Sequence, residues 1–464
     1  MNRIRKFLAP LTVFVVAAFG VPSHEAAASQ VDALIEKLVE KRILTRIDAE
    51  SLRSEVETAE SKSFKEELKK SNGWLDKLSS KGDVRMRYEA FNREDEDASD
   101  RNRFRFRVRW GLEKKFDDEW TAGFRLASGS GTNEAVSTNQ TFDGEFGLKS
   151  VFIDQAYAKW QPTQHMQQWF SATDKAEIGF GKVANPYEKW GTSIIWDGDV
   201  TPEGIYELWD LNLWKGEDSA SWKLHTLTGQ WVLDEDSNLS PGDQEMQSYG
   251  IGTTYQWAKG HNTSFKFTYY DWQEYSHFLK VNPSSLANSF GGADREVEDF
   301  KVVNFYGDLN FEAPAPFFGT QPFKIYGDYA HNTDVGSPLG ATGDETLRNP
   351  ALREDEDDAY SIGVTMGKAK DPGSWQAGYE YYHLEANATP GVFTESDLGL
   401  GHNNNRGHKL SWKYMLQKNL ELNLTAWIVE RINKTIITYG AGDFTVNGDD
   451  NELLRTQVDL VYKF

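Results

Sequence analysis

Residues 103–110 read Arg-Phe-Arg-Phe-Arg-Val-Arg-Trp and alternate arginine with a large apolar residue at a strict period of two. Successive side chains of a β-strand point to opposite faces. A strand over these residues therefore has one guanidinium face and one aromatic, apolar face. The same alternation recurs along the chain to its last residue, Phe464, so the two faces of a long sheet are expected to meet different solvents.

The period-two pattern divides residues 81–464 into sixteen strand candidates, with short and long connections in turn. The strands are predicted at 82–91, 102–115, 119–129, 150–161, 174–183, 204–214, 220–232, 246–258, 262–274, 299–312, 322–332, 358–369, 373–386, 406–417, 419–433 and 451–464. Short connections hold turn residues, whereas the long ones are polar. The stretch 162–173 is the exception, because it is longer than its place in the alternation predicts. The pattern is typical of an up-and-down transmembrane barrel.

The expected fold is all-β, a transmembrane up-and-down antiparallel β-barrel of about 16 strands, preceded by a short α-helical periplasmic segment. A sheet edge left open in hydrocarbon would leave backbone groups unpaired, so the sheet has to close. A barrel of this size encloses an aqueous channel rather than a packed interior. Lipid is therefore expected outside the barrel and water inside it, and the even strand count places both barrel ends on the periplasmic side.

The amino-acid composition agrees with a transmembrane barrel but does not by itself distinguish it from a soluble β-protein. The 464 residues carry a formal net charge of −21, with 16 Trp, 19 Tyr, 27 Phe and no cysteine. The acidity argues against nucleic acid as a partner, and the absent cysteine excludes disulfides and thiolate metal sites. No run of 18 apolar residues follows Ala28, so no transmembrane helix is expected. A soluble carbohydrate-binding β-protein, favoured by the tryptophan content, is the alternative class.

The chain before the barrel is predicted to have two parts. Residues 1–28 read as a signal peptide, with a basic start, an apolar run and small residues at 26–28 for cleavage. Residues 29–73 show a helical period of apolar residues. This part is predicted to be a periplasmic helical hairpin or a short coiled coil, with the transmembrane barrel following over 81–464.

Arginines collect on one face of the first three predicted strands. They are Arg85, Arg87, Arg103, Arg105, Arg107, Arg109 and Arg125. Each is permanently charged, so the set needs water, counter-ions or carboxylates, and Asp459 on the closing strand is the expected partner. As a pore-lining wall these side chains would raise the local concentration of anions. The alternative is that they are only the hydrated face of ordinary strands.

The segment 181–204 is too long for a turn and too rich in Trp, Pro and Gly for a strand. It follows a strand that runs towards the external mouth. We expect it to fold inward as a constriction loop, with Asp197, Asp199 and Glu203 facing the arginines. The alternatives are an external loop or a loop packed between subunits.

Three blocks of the chain resemble the "putative porin" family of Gram-negative outer membranes. The first is its opening, Gly82-Asp-Val-Arg-Met-Arg-Tyr-Glu89, Asp100-Arg-Asn-Arg-Phe-Arg-Phe-Arg-Val-Arg-Trp-Gly111 and Phe124-Arg-Leu-Ala-Ser-Gly129. The second is the Asn-Pro-Tyr, Trp-Asp and Pro-Glu-Gly motifs within 181–204, and the third is the ending Val458-Asp-Leu-Val-Tyr-Lys-Phe464. The resemblance implies a passive diffusion channel that is often a homotrimer. It implies no solute and no catalytic residues.

No catalytic residue, metal site or cofactor is predicted. Ser396, Asp397 and His402 lie close together in sequence, but these are ordinary residues for a solvated loop, and a nucleophile needs its base within hydrogen-bond reach. The nine histidines are scattered without a metal-ligand spacing. The protein is therefore not expected to be an enzyme.

The sequence predicts an outer-membrane porin through which small hydrophilic solutes or ions diffuse passively, with a basic wall that favours anions. Its expected partners are outer-membrane lipid, lipopolysaccharide and two further copies of itself in a homotrimer. Acidic runs such as 354–358 are expected in loops between strands. The simpler interpretation is that they are solvated loop tips, and the alternative is that divalent cations bridge them to lipopolysaccharide. The alternative function is an outer-membrane anchor that tethers the envelope, with residues 29–70 in contact with the cell wall.

Overall fold

The chain forms one barrel unit over Lys77–Phe464. The computed structural model describes residues 77–93, 101–129, 136–235, 243–273, 300–334, 356–385, 387–398, 403–432 and 452–464. The signal peptide predicted at 1–28 and the helical segment predicted at 29–73 lie outside the described residues. No helix in the described part of the chain is long and apolar enough to span a membrane.

Seventeen strands form a single antiparallel sheet, and sixteen of them are the walls of a closed barrel. The strands are β1 Leu78–Arg93, β2 Arg101–Lys115, β3 Trp120–Ser128, β4 Gln140–Thr141, β5 Val151–Trp160, β6 Thr173–Lys182, β7 Glu203–Lys215, β8 Ser221–Asp234, β9 Gln244–Ala258, β10 His261–Gln273, β11 Phe300–Ala315, β12 Gly319–Asn332, β13 Asp358–Gly367, β14 Trp375–Leu384, β15 Asn405–Gln417, β16 Leu420–Arg431 and β17 Leu453–Lys463. The two-residue strand β4 lies beside β2 within the long connection from β3 to β5.

The barrel closes where β17 pairs with β1. The register runs from Asp83 opposite Lys463 to Arg93 opposite Leu453. The last residue is part of this seam, because the Gly82 amide donates to the Phe464 carbonyl at 2.9 Å and the Phe464 amide donates to the Gly82 carbonyl at 3.0 Å. Closure leaves no free sheet edge along this line, as a barrel in hydrocarbon requires.

All sixteen predicted barrel strands are present, and the alternation of short and long connections is confirmed. The exceptional stretch at 162–173 contains a short helix, α1, over Thr163–Trp169. Strand β11 continues to Ala315, three residues beyond its predicted end at 312. Pro314 is tolerated there because it lies near the end of the ladder, opposite Thr320, where a missing N–H costs little.

The outer face of the barrel is apolar, as the alternation predicts. Its exposed side chains include Met86, Phe104, Val108, Trp110, Phe124, Tyr249, Ile251, Tyr255, Trp257, Tyr360, Ile362, Val364, Leu454, Val458, Leu460, Tyr462 and Phe464. A soluble protein rarely leaves so large an apolar surface uncovered, whereas a barrel in hydrocarbon needs it. The opposite, inner face carries the arginines, carboxylates and polar residues of the same strands.

The main buried cluster is formed by the connection from β6 to β7, residues 183–202. Its Tyr187 and Trp196 stack with ring centroids 5.7 Å apart, and Trp196 packs against Trp272 of β10. The Thr192 amide donates to Asp328 of β12. Inner-face contacts with strands so far apart can be made only from within the barrel, so this connection folds inward.

Candidate functional site

In the candidate site, arginines of two neighbouring strands lie directly opposite each other. Antiparallel pairing of β1 with β2 sets Arg85 opposite Arg107 and Arg87 opposite Arg105 on the inner face. Like charges directly opposite each other destabilise a sheet, so carboxylates are needed among them. The seven arginines of β1, β2 and β3, together with Arg455 of β17, form the arginine wall of the inner face.

Arg87 is bound by carboxylates from two distant parts of the chain. Its Nε and Nη2 donate to the two oxygens of Asp459 at 2.7 and 2.8 Å, in a bidentate pair. Its Nη1 donates to Asp397 at 2.7 Å. Asp397 also accepts from Arg455 at 2.6 Å, and Arg455 donates in turn to the fully buried Glu89 at 2.8 Å. Strand β17 and the connection from β14 to β15 are thus joined to β1.

Arg107 and Arg109 share two aspartates. Asp83 of β1 accepts from Arg107 at 2.8 and 3.0 Å and from Arg109 at 2.7 Å. Asp199, from the inward connection, accepts from Arg107 at 3.4 Å and from Arg109 at 3.2 Å. Burial by itself would raise the pKa of Asp199, but the two guanidinium groups hold the pKa below its ordinary value. Asp199 is therefore an ionised carboxylate bound between two cations.

Two arginines of the wall are less well compensated. Arg85 donates to the Asn139 side chain at 2.6 Å and lies 4.0 Å from Asp459. Arg105 lies 3.9 Å from Glu89 and donates to the Asn139 carbonyl at 3.4 Å. The buried Nε atoms of both side chains have no hydrogen-bond partner among the described residues. The remaining members, Arg103 and Arg125, contact Glu89 and Asp154 directly.

The arginine wall has more positive charges than the carboxylates in contact with it have negative charges. Its eight arginines contact six carboxylates, namely Asp83, Glu89, Asp154, Asp199, Asp397 and Asp459. Two positive charges are therefore left over. Arg85 and Arg105 are the side chains whose carboxylate contacts are longest, so the surplus is assigned to them.

Three connections meet over the arginine wall, and they form what we call the loop junction: residues 136–141, 183–202 and 387–398. The Asp197 amide donates to the Phe393 carbonyl at 2.6 Å, and the Ser396 amide donates back to the Asp197 carboxyl at 2.9 Å. The Thr389 hydroxyl donates to the Ile194 carbonyl at 3.1 Å. These reciprocal bonds fix the second and third connections to each other.

The loop junction holds two buried carboxyl groups that are not paired with arginine. Burial raises the pKa of Asp197 well above its ordinary value, and the nearby Glu395 and Asp199 add to the shift. Burial also raises the pKa of Glu395, whose side chain hydrogen-bonds to Asp197. Two adjacent carboxyl groups in such a place retain a proton more readily than either would in water.

The structure separates the three acidic residues of the predicted constriction loop. Asp199 lies against Arg107 and Arg109, as described above. Asp197 faces the connection from β14 to β15 instead, and Glu203 begins β7 and pairs with Lys182 at 2.7 Å. A cavity of about 760 Å³ opens beside them, lined in part by Ser128, Thr138, Asp154, Lys182, Asp199 and Glu203.

The residues considered as a catalytic group are occupied by other contacts. The Ser396 hydroxyl donates to the Val136 carbonyl at 3.1 Å. Asp397 is bound by Arg87 and Arg455. His402 lies outside the described residues. Neither of the two described side chains is arranged as a nucleophile beside a base.

Sequence reasoning missed most of the carboxylates that bind the arginine wall. Asp83 and Glu89 alternate with Arg85 and Arg87 at a period of two on β1, and that spacing could have placed all four on one face. Asp397 carries no such signal. It reaches Arg87 from 310 positions away along the chain, through a connection that sequence patterns describe only as polar.

The family model described as "Putative porin" matches residues 94–290 and 288–447. The chain belongs to the putative porin family. That assignment and the closed barrel identify it as an outer-membrane channel protein of Gram-negative type. No curated protein matches the chain.

Several solved porins are similar in structure. OprB of Pseudomonas putida is 10% identical, with 84% of this chain and 96% of that one covered and a TM-score of 0.47. Salmonella typhi OmpF is 10% identical, with coverages of 83% and 97% and a TM-score of 0.44. Vibrio cholerae OmpT, described in its trimer form, is 11% identical, with coverages of 84% and 100% and a TM-score of 0.42. These values are low, so the assignment depends on the family match and the barrel itself.

Proposed function

We propose that this putative porin is a passive diffusion pore for small hydrophilic solutes, with an aperture set by the loop junction and a preference for anions. The observation that carries the proposal is the polar inner face of a closed barrel, over which the inward connection 183–202 is bound to the arginine wall together with residues 136–141 and 387–398. Transport by this mechanism needs no energy input and no bound intermediate, because size and field select the solute.

The proposed constriction is a fixed structure rather than a loose loop. Asp199 accepts hydrogen bonds from two arginines of β2. Asp397 accepts hydrogen bonds from one arginine of β1 and one arginine of β17. Charge-assisted bonds of this kind are the strong ones in proteins. Their number favours a loop junction that keeps one position across the lumen and narrows it on the side of the arginine wall.

The proposed anion preference rests on the surplus charge of the wall, not on all eight of its arginines. A guanidinium that is bound by carboxylates contributes little field beyond its partners, whereas Arg85 and Arg105 are incompletely neutralised. The low-dielectric wall of the barrel focuses this field into the water-filled lumen, and the field raises the local concentration of anions there.

Planar-bilayer recording tests whether the barrel conducts. We expect stepwise single-channel currents from the purified full-length protein. Persistent silence from protein that migrates as a folded barrel would contradict the pore and leave the anchor alternative. That alternative depends on contacts of residues 29–70, which lie outside the described residues, and it stays a prediction.

Reversal potentials in a salt gradient test the surplus-charge proposal. Replacing Arg85 and Arg105 together with glutamine is expected to reduce the anion preference. The matched control is Arg406→Gln, which removes an arginine from the outer face of β15, where it pairs with Glu430 at 2.7 Å. An equal change in both variants, or none in the double variant, would remove the wall from the selectivity mechanism.

We further propose a homotrimer that covers the part of the barrel wall formed by β3, β5 and β6. Strands β3, β5 and β6 have only 9, 10 and 10 residues. Pairing of β5 with β6 begins only at Ala156, opposite Lys182, so residues 151–155 have no partner on that side in the described ladder. Unpaired backbone is costly against lipid, and a neighbouring copy would cover it. Native mass measurement in detergent is expected to give three chains, and a monomer would contradict this.

A further inference from the structure

Three strand ends meet at the end of the barrel that carries the long connections. Strand β12 ends at Asn332, β13 begins at Asp358, and β14 ends at Leu384. The register sets His331 opposite Asp358 and Ala359 opposite Leu384. His331, Asp357 and Asp358, which we call the rim cluster, are thereby brought to one level on neighbouring strands.

The rim cluster has the dimensions of a metal site. His331 Nδ1 lies 2.9 Å from Asp358 Oδ1 and 3.5 Å from Asp357 Oδ1. One ligand atom from each of the three residues falls within 4.8 Å of the other two. An ion held tetrahedrally at about 2.0–2.2 Å separates its ligand atoms by roughly 3.3–3.6 Å. Small side-chain rotations would therefore bring all three atoms onto one ion.

The surroundings orient the rim cluster and leave it negative. The Tyr329 hydroxyl donates to Asp358 Oδ1 at 2.7 Å. The Asp358 amide donates to Glu385 at 2.9 Å, which brings a third carboxylate close. Among the described residues no lysine or arginine forms an ion pair with these three carboxylates. Hydrogen bonds to the ligating groups are the usual second layer of a metal site, and the uncompensated charge favours a cation.

We propose that His331, Asp357 and Asp358 bind a divalent first-row metal ion, for which Zn²⁺ is the probe. One imidazole with two carboxylates suits Zn²⁺ better than Ca²⁺ or Mg²⁺, which prefer oxygen ligands alone. The three side chains are 36%, 22% and 42% exposed, so an ion can reach them from water. Three protein ligands leave a coordination position open for water or for an anionic group of the surrounding medium.

Calorimetric titration of Zn²⁺ into chelator-treated, folded full-length protein tests the site. We expect one binding event per chain, weakened by at least about tenfold by His331→Gln and by Asp358→Asn, because loss of even an outer-shell partner of a metal site costs that much. The control is His165→Gln, which removes an exposed histidine of α1 that contacts Glu119. It should leave the affinity unchanged. Heat-modifiable migration verifies that each variant is folded.

A second measurement on the unmodified chain decides the matter if a variant does not fold. Diethylpyrocarbonate modifies histidines, and mass spectrometry can follow the nine histidines of the chain separately. Zn²⁺ is expected to slow modification of His331 and not of His165. The proposal is wrong if the unmodified protein shows no Zn²⁺ binding, if both rim-cluster variants bind as tightly as it does, or if His331 is not protected. In those cases His331 only contacts the two aspartates without a metal ion.

Discussion

At the scale of single residues, the inner face depends on carboxylates that each serve two arginines. Asp199 is one of these, between Arg107 and Arg109. The change Asp199→Asn keeps the size of the side chain and removes one negative charge. We predict a higher anion preference, because two guanidinium groups then lose their shared counter-charge. Reversal potentials in a salt gradient measure it.

The control for this prediction lies two residues away. Asp197→Asn alters a carboxyl group whose raised pKa leaves it less ionised and which bonds to backbone amides rather than to arginine. It should shift the reversal potential less than Asp199→Asn does. Equal shifts in the two variants would mean that the charge on Asp199 does not act through the arginines.

The pair Asp197 and Glu395 predicts a dependence of the loop junction on pH. Both pKa values are raised in the folded protein, by burial first and then by nearby carboxylates. Stability from a group with a raised pKa is fully present below its unfolded pKa, about 4 for aspartate, and is lost as pH rises through the folded pKa. The loop junction should therefore loosen as pH rises over this range.

Single-channel noise and conductance recorded against pH measure this effect. The wild-type channel is expected to become noisier or more conducting as pH rises. The double variant Asp197→Asn with Glu395→Gln mimics the protonated pair, and its record should not change with pH over the same range. A wild-type record independent of pH, or a variant that responds as strongly, would contradict the assignment.

At the scale of elements, the inward turn at the end of β6 depends on one glycine. Gly181 has a φ of +102°, and a Cβ there would lie 2.3 Å from the Ala156 carbonyl oxygen of β5. Gly181→Ala is therefore predicted to destabilise the barrel by about 1–3 kcal/mol. Urea or guanidinium unfolding followed by tryptophan fluorescence measures the change.

The same connection offers a matched control. Gly198 also lies in residues 183–202, and a Cβ there would have no atom within 4 Å. Gly198→Ala is expected to leave the unfolding midpoint unchanged. Equal midpoints for the two variants would show that the turn after β6 does not need the left-handed backbone of Gly181.

Sequence reasoning succeeded for the strands because their pattern is local. A period of two survives over ten or more residues, and turn residues mark both ends, so all sixteen barrel strands were predictable. It missed β4, a two-residue strand that exists only through its pairing with β2, and α1, whose seven residues are too few for a helical period. Contacts of the loop junction join residues that are hundreds of positions apart, and no local pattern encodes them.

At the scale of the whole molecule, the outer and inner faces of the barrel differ in chemistry. The outer face is mainly apolar, while the inner face holds a network of ion pairs that a soluble protein would keep near its surface. The large aromatic cluster of the barrel lies within its lumen, on the inward connection. This cluster occupies part of the lumen, as the proposed selection of small solutes by size requires.

The absence of cysteine allows a direct test of which face meets the conducting water. Ser411 and Leu410 are neighbours on β15, and their side chains point to the inner and outer faces respectively, with Leu410 exposed on the outside. A charged methanethiosulfonate reagent applied to Ser411→Cys is predicted to reduce the single-channel current in one step, and the same reagent should leave Leu410→Cys unaffected. Block at position 410, or an unaltered current after labelling at position 411, would contradict a hydrated lumen enclosed by an apolar outer wall.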